Sequence, residues 1–159
     1  MRNRCKLVGL ALAGLLAVAC GDDDDEIANL VEQCTEDSGE EQCELYRLIN
    51  VERQSADVSL YGYDPALARA AQLHANDMAD NDYFDHESLD GRSFSDRAQQ
   101  AGYDGSPTGE NIASASSAQQ TVEMWMSSSG HRANLLSTRS TEIGIGAQSG
   151  LWVAVFGRE

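Results

Sequence analysis

"TEIGIGAQSGLWVAVFG" (Thr141–Gly157) decides which kind of fold this chain can adopt. It contains two β-runs joined by Ser149-Gly150, a hairpin signal. "LWVAVF" is apolar on both faces, as a strand covered from both sides should be. In the first run Ile143 and Ile145 alternate with Gly144 and Gly146. A face made of glycine lets a helix approach a sheet closely. The hairpin therefore belongs to a sheet that carries helices.

Upstream, the periodicity turns helical. "CELYRLINVERQSA" sets Leu45, Leu48 and Ile49 at helical spacing, with charges on the opposite face. A short β-like stretch, "VSLYGY", follows. "DPALARAAQLHANDMADNDY" opens with Asp64 as N-cap and Pro65 at the first helical position. Leu67, Ala71, His74 and Met78 share one face of that helix, so His74 reads as a structural core histidine. "RSFSDRAQQAGY" is a short helix with Ser93 as N-cap, Asp96 completing a capping box and Gly102 as the stop. "SAQQTVEMWM" starts on a Ser117–Gln120 capping box, with Ala118, Val122, Trp125 and Met126 as its apolar stripe. Helices before and between β-runs that end in an antiparallel hairpin make an α+β fold, a sheet sandwiched between helical layers. There is no internal repeat and no second domain.

The N-terminal end reads as an address. Arg2, Arg4 and Lys6 precede the apolar run Leu7 to Ala19, which is shorter than the roughly 20 residues of a spanning helix. Residues 1–19 are expected to be a signal peptide. "LLAVAC" is similar to a lipobox, with Cys20 as the lipidated mature N-terminus; ordinary cleavage after Ala19, leaving a free thiol, is the other reading. "GDDDDE" repels itself and is expected to stay extended as a tether. A calcium loop would alternate its ligands with turn residues instead. Cys34 and Cys43 form an even pair in an exported chain and are expected to be bridged. The expected organisation is thus a lipidated N-terminus, tether and disulfide loop over 20–43, then one domain over 44–159. After loss of the leader, eight of the 11 basic side chains face 26 acidic ones, a formal charge of −18. Nucleic acid is excluded as a partner, because its binding rests on neutralising phosphates. Anionic membrane surfaces are equally poor partners for the domain itself.

The chain has three histidines, and two of them fall at breaks in the pattern. In "MWMSSSGHRANLLS" (Met124–Ser137) a helical run dissolves into three serines and a glycine before His131. "YFDHESLDG" places His86 among turn residues, and "GENIASA" places Glu110 at the entry to a β-run. A carboxylate entering a sheet needs a donor, and an imidazole can be one. His86, Glu110 and His131 could therefore converge; separate, locally bonded side chains are the alternative. Nucleophile machinery is missing, with no Gly-x-Ser-x-Gly, no His-Glu-x-x-His and no phosphate-cradling loop.

The order of "LINVER", "DPALARAAQLHANDMA", "YFDHESLDG", "GENIA", "GHRANLL" and "TEIGIGA" resembles the CAP superfamily. That superfamily comprises cysteine-rich secretory proteins, antigen 5 and pathogenesis-related 1, and its module is also called the SCP domain; the bacterial SCP-like extracellular proteins are the nearest look-alikes. The resemblance runs from about Leu45 to Gly157. It implies a three-layer α-β-α sandwich with a mainly antiparallel central sheet, and a cleft lined by two histidines and two acidic residues. His86, Glu110 and His131 match three of those positions, and Ser128 occupies the fourth. Arg132 and Asn134 are expected to secure the turn that aims His131.

Some members of that superfamily bind zinc through the two histidines, and others bind sterols, fatty acids or peptides. The functional expectation is a monomeric envelope protein, exported and anchored in the membrane by a lipid on Cys20, facing the periplasm or the cell exterior. Its cleft would bind a small lipid, a peptide or an envelope component without turnover. The alternatives are a Zn²⁺-assisted hydrolase, with His86 and His131 as metal ligands and Glu110 as base, and a structural module with a vestigial cleft. Catalytic zinc normally takes three protein ligands, and Glu110 cannot be both ligand and base.

Overall fold

The computed structural model describes residues 23–159, so the leader and Cys20 lie outside the described residues. Its helices are α1 (Asp23–Asp37), α2 (Glu40–Ser55), α3 (Pro65–Asp80), α4 (Phe94–Gln100), α5 (Ala118–Ser127) and α6 (Ser129–Leu135). Its strands are β1 (Gly62–Tyr63), β2 (Ser106–Ser114), β3 (Glu142–Gln148) and β4 (Leu151–Arg158). They form one sheet in the order β1-β3-β4-β2. β4 pairs antiparallel with β2 and with β3, whereas β1 runs parallel to β3. The sheet is therefore mainly antiparallel but mixed. β1 is only two residues long, too short for any alternation to show.

The three layers follow from alternation along β4. Trp152, Ala154 and Phe156 face a core shared with α2, α5 and α6, through Leu45, Tyr46, Ile49, Val122, Trp125 and Leu135. Val153 and Val155 face the opposite core, built by Leu67, Ala71, Ala75 and Met78 of α3 with Ala98 of α4. At the hairpin turn both Ser149 (φ 52°) and Gly150 (φ 78°) are left-handed, as a two-residue type I′ turn demands. The glycine face meets α3 as expected. A Cβ on Gly144 would lie 2.0 Å from Ala68 N, and one on Gly146 would lie 2.3 Å from the Ala71 carbonyl carbon.

Most local signals are met. Asp64 accepts from Leu67 N at 2.7 Å, and Ser93 and Asp96 form a reciprocal box. Ser117 caps α5 by accepting from Gln120 N, but the Gln120 side chain turns to Ser116 instead of closing the box.

Two expectations need correcting. The acidic run does not stay extended throughout, because α1 begins at Asp23; carboxylates suit the positive end of a helix dipole. The cysteines bridge as expected, and because Cys34 sits on α1 and Cys43 on α2, the bond that closes this short loop also staples two helices. Both cysteines are buried in the α2–α5 core. Arg53, read as part of a charged face of α2, is also buried. Its guanidinium stacks 3.5 Å from the Tyr61 ring centroid and donates to Ser59 O, Leu135 O and Ser137 O.

Candidate functional site

Strand alternation sends neighbouring residues of β2 to opposite faces of the sheet. Glu110 pairs across from Val155 and so faces the α3–α4 side, while Asn111 pairs across from Ala154 and faces the α6 side. From this one point the strand reaches both of the histidines found at breaks.

On the first side Glu110 is buried, its side chain only 1% exposed. Its Oε1 accepts from His86 Nδ1 at 2.9 Å, and its Oε2 accepts from Arg97 Nη2 at 2.6 Å. Arg97, 4% exposed, is a functional residue that the sequence reading does not single out. It also donates to His86 O at 3.0 Å, Ser88 Oγ at 3.1 Å and Arg92 O at 2.9 Å. Arg97 thus gathers the loop after α3 around the carboxylate. Its signal was position alone, opposite an acidic residue that must be buried.

The His86 side chain is 53% exposed. Because the Glu110 carboxylate only accepts, Nδ1 carries the proton and Nε2 is the free nitrogen of the neutral ring. The hydrogen bond to Glu110 is the main cause that raises His86 above its ordinary value of 6.5, against partial desolvation.

On the second side His131 sits in α6, three residues past the break at Ser128, which ends α5 and begins α6. Asn111 Nδ2 donates to His131 O at 3.1 Å. Asn134 Nδ2 donates to Asn111 Oδ1 at 2.9 Å and reaches Glu110 O at 3.4 Å. Asn134 thereby ties α6 to β2. Tyr61 Oη donates to Asn134 O at 2.7 Å, which holds the C-terminal end of the same helix. The His131 ring lies 6.5 Å from that of Trp125, centroid to centroid. Burial, and then the charge of His86, lowers His131 below 6.5. The environments of the two imidazoles thus push their proton affinities apart.

The donor set can be compared with what zinc requires. Among the described residues, no group of three His, Cys, Asp or Glu side chains is disposed to hold a metal ion. Both oxygens of Glu110 are engaged, and the fourth motif position is Ser128. What remains is two imidazoles, fewer than the three protein ligands of a catalytic zinc. A groove of about 580 Å³ lies elsewhere, between the α1–α2 turn and α3, lined by Gln42, Arg69, Gln72 and Leu73 among others.

Comparison with known proteins places the fold. The family model described as "Cysteine-rich secretory protein family", CAP, matches residues 46–153. YkwD of Bacillus subtilis is 36% identical over 115 residues, which are 70% of this chain and 45% of that protein. The B. subtilis membrane protein YlbC is 35% identical over 104 residues, 65% of this chain and 30% of its own length. The chain thus matches less than half the length of either relative. Among solved structures, an extracellular SCP-domain protein from Bacillus anthracis superposes with a TM-score of 0.72 at 32% identity, over 75% of this chain and 40% of that one. An outer surface protein of Borrelia burgdorferi shares the fold, with a TM-score of 0.66 at 23% identity, over 72% of this chain and 90% of that one. The chain belongs to the CAP family of cysteine-rich secretory proteins.

Proposed function

We propose that this is an exported CAP protein, held in the cell envelope by a lipid on Cys20, whose cleft at His86 and His131 binds a small lipid, a peptide or an envelope component without turning it over. One observation carries the reading. The carboxylate that holds His86, that of Glu110, is already paired with Arg97 in a buried ion pair. A general base must reach the proton it takes, and here the Glu110 side chain is 1% exposed, with each oxygen turned to a protein donor. Glu110 therefore orients His86 rather than acting on a ligand. In this proposal ligand contact falls to His86 and His131, one favouring a proton and the other resisting it. Envelope placement is supported by the lipobox-like junction, and by relatives whose names place them in a membrane, outside the cell or on an outer surface.

A second reading has its own observation. A carboxylate on Nδ1 with Nε2 left free is the arrangement that orients a metal-bound histidine. Zn²⁺ at this cleft would have His86 and His131 as its protein ligands and would supply Lewis-acid polarisation. Glu110 would still only orient His86.

Isothermal titration of the purified protein with palmitate, and separately with an envelope-derived peptide, tests the proposal. The expected result is saturable binding of one of them, weakened about tenfold or more by His86→Ala or His131→Ala, as loss of a hydrogen bond worth about 1.4 kcal/mol implies. Binding that neither substitution changes would move the ligand away from these histidines.

A further inference from the structure

His74 sits on the apolar stripe of α3, fully buried between positions held by Leu67, Ala71 and Met78. Packing alone would be served by an aliphatic residue there. The imidazole does something an aliphatic cannot: its Nε2 lies 2.9 Å from the carbonyl oxygen of Asp85. A carbonyl only accepts, so Nε2 carries the proton and Nδ1 is bare in the neutral ring. Burial is the main cause that lowers His74 below 6.5 and keeps it neutral.

Asp85 is the residue before His86. The bond from His74 therefore fixes the peptide group that leads into the cleft histidine. The next carbonyl, that of His86 itself, accepts from Arg97 Nη2 at 3.0 Å. Two consecutive carbonyls are thus held by two buried donors, one from α3 and one from α4. Between these clamps the His86 ring is presented to Glu110.

A second observation joins His74 to that cluster. Glu110 and Arg97 both act electrostatically on His74. Among the described residues, the buried side-chain polar atoms without a hydrogen-bond partner are His74 Nδ1 and Arg97 Nε. One is an acceptor and the other a donor, so the two match in polarity. A histidine kept only to fill space would leave a buried nitrogen unbonded for no return.

We infer that His74 is a positioning residue of the cleft, setting the backbone at Asp85 so that His86 Nδ1 meets Glu110. The inference rests on the proposed role of His86, but its test needs no ligand and so fails independently of that role.

The experiment is ¹⁵N NMR of the histidine side chains in the full exported protein, at a pH where His86 is neutral. The wild type should show His86 protonated on Nδ1. His74→Leu keeps the packing and loses the donor; the two His86 ring-nitrogen signals should then move toward each other as the tautomers mix. His74→Gln restores an N–H donor to Asp85 O and should return them to the wild-type positions. A purely structural His74 would lower stability in these variants without moving the His86 signals. Wild-type His86 shifts in His74→Leu would therefore overturn the inference. If His74→Leu and His74→Met both fail to fold, the wild type decides, since a His74 ring protonated on Nδ1 rather than Nε2 also overturns it.

Discussion

Arg97→Met is the substitution whose effect the structure fixes best. Arg97 and Glu110 meet at 2.6 Å with side chains 4% and 1% exposed, so neither charge has water to fall back on. Methionine keeps the aliphatic stem and removes the guanidinium. Glu110 then keeps only His86 as a partner, and Ser88 Oγ, Arg92 O and His86 O lose a donor. Breaking a buried pair from one side is destabilising by about 3–5 kcal/mol, mostly because the other charge is stranded. Glu110→Gln strands Arg97 in the same way and should have a similar cost. The double variant removes both charges, so it should be no less stable than the weaker single one. Urea unfolding of the four proteins, extrapolated to water, measures the cycle. An Arg97→Met protein within about 1 kcal/mol of wild type, or singles that simply add in the double variant, would refute the reasoning.

His86 carries a pH signature. Its folded value lies above the unfolded value of about 6.5, so the stability it adds is fully present below that pH and lost as pH rises through the folded value. The stability gap between wild type and His86→Gln should therefore narrow from about pH 6 to about pH 9; a gap constant across that range contradicts the Glu110 contact. His131, lowered instead, works in the opposite direction, which is why the single variant and not the whole curve is the measurement. Gly144→Ala places a Cβ 2.0 Å from Ala68 N and must push α3 off the sheet, destabilising by about 3 kcal/mol in thermal or urea unfolding; wild-type stability would mean that α3 does not lie so close. Mass spectrometry of membrane-extracted protein should show an acylated peptide beginning at Cys20, and a Cys20→Ser protein that still fractionates with membranes would remove the anchor from the account.

The legible parts of this fold are those whose signals are local. Asp64-Pro65 and Ser93 mark helix starts because a cap involves only the next three residues. Gly144 and Gly146 announce a helix because glycine at every second strand position serves little besides close approach. Burial of charge is not local, and there the reading failed. Arg53 looks like a surface charge until Leu135, 82 residues away, supplies a carbonyl. Arg97 likewise needs Glu110 from another element. The start of α1 within the aspartates is not legible from their self-repulsion, because the helix dipole opposes it. At the site, His86 and Glu110 could be suspected because both interrupt a pattern. The link from Asn111 to His131 could not, since it depends on which face of β2 each residue takes.

The central claim is that Glu110 orients and does not catalyse. The most direct measurement is turnover of envelope-derived peptides by the exported protein beside Glu110→Gln, each with and without added Zn²⁺, read by mass spectrometry of the peptide. The account predicts that every peptide is recovered intact from both proteins under both conditions. Cleavage by the wild type that disappears in Glu110→Gln would contradict it and make the cleft a hydrolase.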